Sequence, residues 1–308
     1  MSHSELAAAM ARAFTRREAL LGDPELDAHR LFHGWTEGQP GLEIDRYGDT
    51  AVVAFRAHQE ELLPVAVEAL RAVPVIQRVL ARPRRGDPFA LRGELPDRPT
   101  IVREHGLRFA VELARPGNPG LYLDARSARA WIREHAAGRR ALNLFAFTGS
   151  LGVAAIAGGA TGVTHVDSQR GMLERCRANH ALNDQAIDDR DLARMNIYQH
   201  LRKNAAKRRR YGAIILDPPP VGDYKSDRTP GRRGVPALAP LCAQMLEPGG
   251  WMLILLHHSD RTRDEHEREV IDAAGIDLEV TWRGDSGDDV PEPDPRRRLR
   301  PTVFMRPA

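Results

Sequence analysis

The sequence predicts an α/β fold, a doubly wound parallel sheet preceded by a smaller α+β domain, and three observations carry that prediction. The run 141–169, ALNLFAFTGSLGVAAIAGGATGVTHVDSQ, reads as strand, glycine turn, alanine-rich helix and second strand. Apolar segments of strand length then keep alternating with segments of helical period. The breaker cluster ARPGNPG at 114–120 separates this pattern from hairpin-rich text before it. Repeated strand–helix units imply a parallel sheet covered by helices.

Each element has its own signal. The opening MSHSELAAAMARAF fits an amphipathic helix with Ser4 as its cap, so 1–29 is expected to be an N-terminal helical segment. Over 30–115, strands are expected at 41–45 and 50–55, joined by a turn at Tyr47, Gly48 and Asp49. A helix over 60–73 with Pro64 near its start and a strand at 75–80 follow. A hairpin of 101–104 and 107–113, turning at His105 and Gly106, completes a small α+β domain suited to contacting substrate. The larger domain is expected over 116–308. Its strands are 141–147, 163–167, 212–217 and 251–256, with a weaker pair near 277–282 and 301–306. Its helices are 125–136, 151–158, 170–182, 237–246 and 262–274. The Asp-, Pro- and Arg-rich text 284–298 reads as a surface loop.

Composition excludes several classes. The chain has 308 residues, 42% hydrophobic and 28% charged, as expected of a globular enzyme with a substantial core. Its net charge of +3 confines any nucleic-acid footprint to local clusters. Cys176 and Cys242 sit far apart in helical text without metal-ligand spacing, and the histidines are scattered, so no metal site is expected. No stretch has the apolar length to cross a bilayer and the start lacks the order of a secretion signal, so a cytoplasmic location is expected.

Two places carry chemistry. In the run 141–169, the turn lies at the carboxyl end of the first strand, where open parallel sheets bind ligands. Gly149 lets backbone approach a ligand, the helix N-terminus offers free N–H groups, and Asp167 is placed to bond a ribose hydroxyl pair. This says "nucleoside-containing cofactor" without saying which, although only Gly149 and Gly152 stand where a dinucleotide fingerprint needs three glycines. The second place is Asp217-Pro218-Pro219-Pro220, closing the strand GAIILD. Proline fixes φ and has no N–H, so the loop is rigid and poor in donors, and its carbonyls stay free to accept from a planar substrate.

These residues, taken with further blocks in the same order, resemble a known family. RLFHGWTEGQPGLEIDRYGD, GELPDRPTIVREHGLRF, GLYLDAR, LNLFAFTGSLGVAA, THVDSQ and ILDPPP resemble class I S-adenosylmethionine-dependent methyltransferases, specifically the ribosomal RNA large subunit methyltransferase I family. The resemblance implies a Rossmann-like class I methyltransferase sheet, S-adenosylmethionine as cofactor and RNA, ribosomal RNA foremost, as partner. It places Tyr122, Asp124 and Arg126 in a segment closing over the cofactor, and Asn143, Phe145, Thr148 and Gly149 in the first cofactor-binding motif. It makes Asp167 the ribose-binding acid with Ser168 beside it. Asn196 stands where the family has an Asp contacting the adenine amino group, and asparagine can bond an adenine edge. Asp217, Pro218 and Pro219 match the catalytic loop.

Two departures shape the expected chemistry. The founding members carry an N-terminal RNA-binding (PUA) domain, whereas one helix precedes the matching region here. RNA affinity then falls to the small domain and to basic clusters: Arg82, Arg84 and Arg85, the cluster 203–210, and 296–300. The family's cytosine-C5 enzymes place a cysteine after the strand matching WMLILLHHSD, and His257 stands there instead. C5 methylation needs a thiolate to attack C6, so a base nitrogen is the expected target. Guanine N7 has no proton to remove. An exocyclic amine must lose one, which Asp217, His257 or His258 is available to accept. The loop 221–236, with Gly222, Gly231 and Gly234 among Lys225, Arg228, Arg232 and Arg233, reads as substrate-gripping. The competing readings are a small-molecule methyltransferase on the same scaffold and a non-catalytic protein that binds the cofactor or RNA.

Overall fold

A computed structural model describes residues 1–219, 235–257, 261–291, 294 and 299–308. Pro220, residues 221–234 of the expected gripping loop, His258 and 296–298 lie outside the described residues. The chain divides into two compact units, Met1–Leu123 with Gly287–Pro293, and Asp124–Ser286 with Asp294–Ala308.

The first unit starts with α1 (His3–Arg16) and the short α2 (Glu18–Gly22). Ser2, not the expected Ser4, caps α1, because Ser2 and Glu5 have the spacing of a reciprocal capping box. The helix, expected as a separate segment, buries Leu6, Met10 and Phe14 in the same core as the following sheet. That sheet holds β1 (Ala28–His33), β2 (Glu43–Tyr47), β3 (Thr50–Phe55), β4 (Arg78–Pro83) and β5 (Phe89–Arg92) in sequential order. β3 and β4 are parallel and joined through α3 (Leu63–Ala69), which is flanked by 3-10 turns; the other neighbours are antiparallel. The expected helix 60–73 is thus split into three pieces. β1 and β5 are additions. β1 mixes apolar residues with His29, Arg30 and His33, and β5 leaves Phe89 exposed, so neither shows clean alternation. The hairpin β6 (Thr100–Glu104) and β7 (Leu107–Val111) turns at His105 and Gly106, whose φ values are 49° and 80°. Inside this unit the buried Glu37 carboxylate accepts from Arg16 and Arg17 at 2.8 Å each and from the His33 amide, so its charge is fully partnered.

The second unit runs α4 (Arg126–His135), β8 (Arg140–Leu144), α5 (Ser150–Ala157), β9 (Gly162–Asp167), α6 (Arg170–Leu182), β10 (Leu192–Arg194) and α7 (Ile197–Ala206). It continues with β11 (Tyr211–Leu216), α8 (Val235–Met245), β12 (Leu246–Leu256), α9 (Arg263–Ala274), β13 (Glu279–Arg283) and β14 (Arg300–Met305). The sheet order is β10-β9-β8-β11-β12-β14-β13. The first five strands are parallel, and β14 lies antiparallel between β12 and β13. β11 is buried at every position, as a strand covered on both faces must be. The expected doubly wound α/β sheet is present.

Its departures from expectation have local causes. β8 stops at Leu144, short of Phe147, because Phe145 and Phe147 take left-handed φ values of 58° and 49°. β10 spans three residues, too short to show a period. α7 buries Ile197, Tyr198, Leu201 and Asn204 along one side, but its basic residues make the text read as a charge cluster. Among the described residues, no helix is long and apolar enough to cross a membrane.

Candidate active site

The strand order reverses at β8, which lies between β9 and β11, and the crevice beyond the carboxyl ends at such a point is where open sheets hold ligands. Register sets those ends level: Leu144 pairs with both Leu216 and Val166, and Leu216 pairs with Ile254. The loop after β8, Asp167 at the end of β9, Asp217 after β11 and His257 after β12 therefore share one edge.

The loop is tightly bent. Phe145, Phe147 and Gly149 have φ values of 58°, 49° and 81°. Two phenylalanines in the left-handed region cost about 1–3 kcal/mol each and persist only where surroundings fix them. Those fixings are present. The Ala146 amide donates to the Val166 carbonyl at 3.0 Å, and the Phe147 amide donates to Asp167 Oδ2 at 2.9 Å. Asn179 Nδ2 donates to the Thr148 carbonyl at 2.8 Å. Gly149 has a second reason to be glycine: a Cβ there would stand 2.3 Å from Cys176 Sγ.

Asp167 Oδ1 accepts from the Gln169 amide at 2.9 Å. Each carboxylate oxygen thus holds one backbone N–H and keeps a further lone pair for a hydroxyl. Ser168 beside Asp167 is exposed.

Across the edge, His257 Nε2 and Asp217 Oδ1 are 2.6 Å apart. Burial lowers the basicity of His257, but the hydrogen bond to Asp217 and the charges of Asp217 and Asp124 outweigh it, so its pKa is raised. Pro218 is buried and Pro219 half-buried. Arg300 donates to the Arg261 and His257 carbonyls at 2.9 and 3.4 Å, pinning the chain on both sides of 258–260.

Of the other expected residues, Asp124 is near enough to His257 to raise its pKa. Asn143 is wholly buried in β8, its amide 3.2 Å from His165 Nδ1. Asn196 is exposed and caps α7, its Oδ1 accepting from the Tyr198 and Gln199 amides. Asp124 and half-buried Arg126 open the second unit, while Tyr122 is 41% exposed at the end of the first. Of the basic candidates, Arg82 is half-buried on the Leu113 carbonyl and Arg300 is buried, so both serve the fold. Arg84, Arg85 and 207–210 are exposed.

A group that sequence reasoning missed lies beneath the loop. His165, Asn179 and His180 are fully buried with Cys176. One ring nitrogen each of His165 and His180 and the Sγ of Cys176 all fall within 4.8 Å of one another. The 2.9 Å between the imidazole nitrogens is a hydrogen-bond length, shorter than the about 3.3 Å that two nitrogens on a tetrahedral zinc would keep. The available signal was Cys176, Asn179 and His180 at i, i+3, i+4 spacing, a polar stripe where α6 faces the sheet.

The family model of S-adenosylmethionine-dependent methyltransferases matches residues 30–305. The chain belongs to the S-adenosylmethionine-dependent methyltransferase family. It is 31% identical over 275 residues to ribosomal RNA large subunit methyltransferase I of Shewanella amazonensis, covering 86% of this chain and 69% of that protein. It is 31% identical over 259 residues to the protein of the same name from Serratia proteamaculans, covering 81% and 65%. The methyltransferase thus spans about two thirds of the length of these relatives. In fold it is similar to a methyltransferase crystallised with S-adenosylhomocysteine, with a TM-score of 0.90, 20% identity, and 99% and 82% of the two chains covered. It is also similar to the tRNA m1G37 methyltransferase of M. jannaschii, with a TM-score of 0.62, 18% identity, and 87% and 76% covered. The cofactor is S-adenosylmethionine, which supplies an electrophilic methyl on a sulfonium.

Proposed function

We propose that this methyltransferase acts in the cytoplasm on RNA, ribosomal RNA foremost, and places the methyl on a base nitrogen. The observation that carries the reading is the Asp217–His257 pair beside the cofactor edge, in a chain whose only two cysteines are buried in helices. Burial pushes both thiols up to about 12, which removes the thiolate that cytosine C5 chemistry needs. The relatives named as ribosomal RNA methyltransferases support RNA as the substrate class.

In this reading Asp167 and the loop 145–149 hold the cofactor, with Tyr122, Asp124, Arg126, Ser168 and Asn196 around it. Asp217 and the proline loop position a planar base through backbone carbonyls. His257, with its Nε2 proton held by Asp217, accepts the proton from a nitrogen that carries one, and Asp217 stabilises the imidazolium that results. Transfer to a nitrogen lone pair is an in-line displacement, so alignment and desolvation are the main contributions. Exposed Arg84, Arg85 and the cluster 207–210 supply phosphate contacts.

Filter binding of RNA across a salt series tests the substrate class. The reading expects retention that falls steeply with salt. Absence of retention at low salt would favour a small-molecule substrate.

A further inference from the structure

The interface between α6 and the sheet is polar, whereas the buried side of α8 is apolar. α8 buries Leu238, Ala239, Cys242 and Ala243, whereas α6 buries Cys176, Asn179 and His180 opposite Asn143 and His165. Asn143, Thr148, His165, Asn179 and His180 all have zero exposure. Buried polar groups destabilise unless bonded, and their bonds are directional where apolar contacts can slide.

The bonds converge on the cofactor loop and its helix. Asn143 Nδ2 donates to His165 Nδ1 at 3.2 Å, which leaves the proton of that ring on Nε2, 2.9 Å from His180 Nε2. Asn179, one residue before His180, grips the Thr148 carbonyl at 2.8 Å. Gln185 Nε2, just past α6, holds the Val153 carbonyl of α5 at 3.1 Å. Two glycines complete the fit. A Cβ at Gly152 would stand 2.1 Å from His165 Cε1, and one at Gly149 would meet Cys176. The loop they brace contains the left-handed Phe145 and Phe147, a shape it has no local propensity to keep.

We infer that His165, His180 and Asn179 are positioning residues that set cofactor affinity by clamping the loop 145–149 onto α6. None of them needs to touch the cofactor. The clamp fixes the direction of the loop's amides and carbonyls before the cofactor arrives, so that binding does not have to order them. This rests on the reading that the loop and Asp167 hold S-adenosylmethionine.

The test is calorimetric titration of the full chain with S-adenosylmethionine, without RNA, alongside thermal unfolding and hydrogen exchange of 145–152. His165→Leu with His180→Leu removes both rings together and leaves no imidazole unpartnered. The clamp predicts a Kd raised tenfold or more and faster exchange in the loop, with His180→Gln, which keeps a bond to His165, restoring Kd to within threefold. A folded double variant with lowered Tm but the wild-type Kd overturns it. If the double variant does not fold, Asn179→Ala is read the same way, since it removes the grip on Thr148. Asp167→Ala separates the two readings. Weakened binding there with unchanged Kd in the clamp variants sinks the clamp alone, whereas unchanged binding in Asp167→Ala sinks the site assignment and the clamp with it.

Discussion

His257 Nε2 stands 2.6 Å from Asp217 Oδ1, joining the carboxyl ends of β12 and β11. The bond and the nearby carboxylates raise the histidine's pKa above its ordinary 6.5 against the opposing effect of burial. As a proton acceptor the ring must be neutral, so kcat/KM should climb with pH through an inflection above 6.5. Asp217→Asn, which removes a charge that holds the proton, should move that inflection down. His257→Gln should lower kcat by about 10²–10⁴. Stability runs the other way: with the folded pKa raised, the pair's contribution is full below 6.5 and is lost as pH rises through the folded value. A pH–rate profile flat from 6 to 9 contradicts the base role.

Asp167 holds the Phe147 and Gln169 amides and has lone pairs to spare. Asp167→Ala should weaken S-adenosylmethionine binding by about 1–3 kcal/mol, through loss of a charge-assisted bond to the ribose. Calorimetry gives the number directly, and an unchanged affinity rejects the assignment.

Both thiols are buried and pushed up to about 12, so neither supplies a thiolate near neutral pH. Cys176→Ser with Cys242→Ser should keep turnover within about threefold, because loss of a nucleophile at a covalent step is the only large effect expected. A folded double variant without activity would revive the route through cytosine C5.

His180, His200 and His266 are held to about 4, with burial the largest cause in each. The unfolded chain takes these protons near 6.5. For bases with depressed pKa values, the stability from keeping them neutral is present above 6.5 and falls as pH drops toward 4. Tm should therefore decline over that interval, and His266→Asn should make the decline shallower. A Tm that does not change between pH 7 and 4 contradicts this.

The parallel sheet was legible because β11 and β12 are apolar runs that need no partner to be recognised. Asp167 and Asp217 were legible because each ends such a run. The cap that Asn196 makes on α7 was not legible, since capping and adenine contact ask for the same residue type. The loop after β8 was read as strand because hydrophobic Phe145 and Phe147 give no sign of positive φ. That shape comes from Asp167, Val166 and Asn179, which are distant in sequence. The buried histidines were illegible for a related reason: His165 and His180 look solvent-ready singly, and only folding makes them partners. Arg82 and Arg300 show the converse, basic text that serves carbonyls of the fold.

The most direct test of the central claim is mass spectrometry of nucleosides from RNA incubated with the protein and S-adenosylmethionine bearing a deuterated methyl group. The account predicts the label in a nucleoside methylated on a base nitrogen, lost in Asp217→Asn. Label in 5-methylcytidine would contradict it.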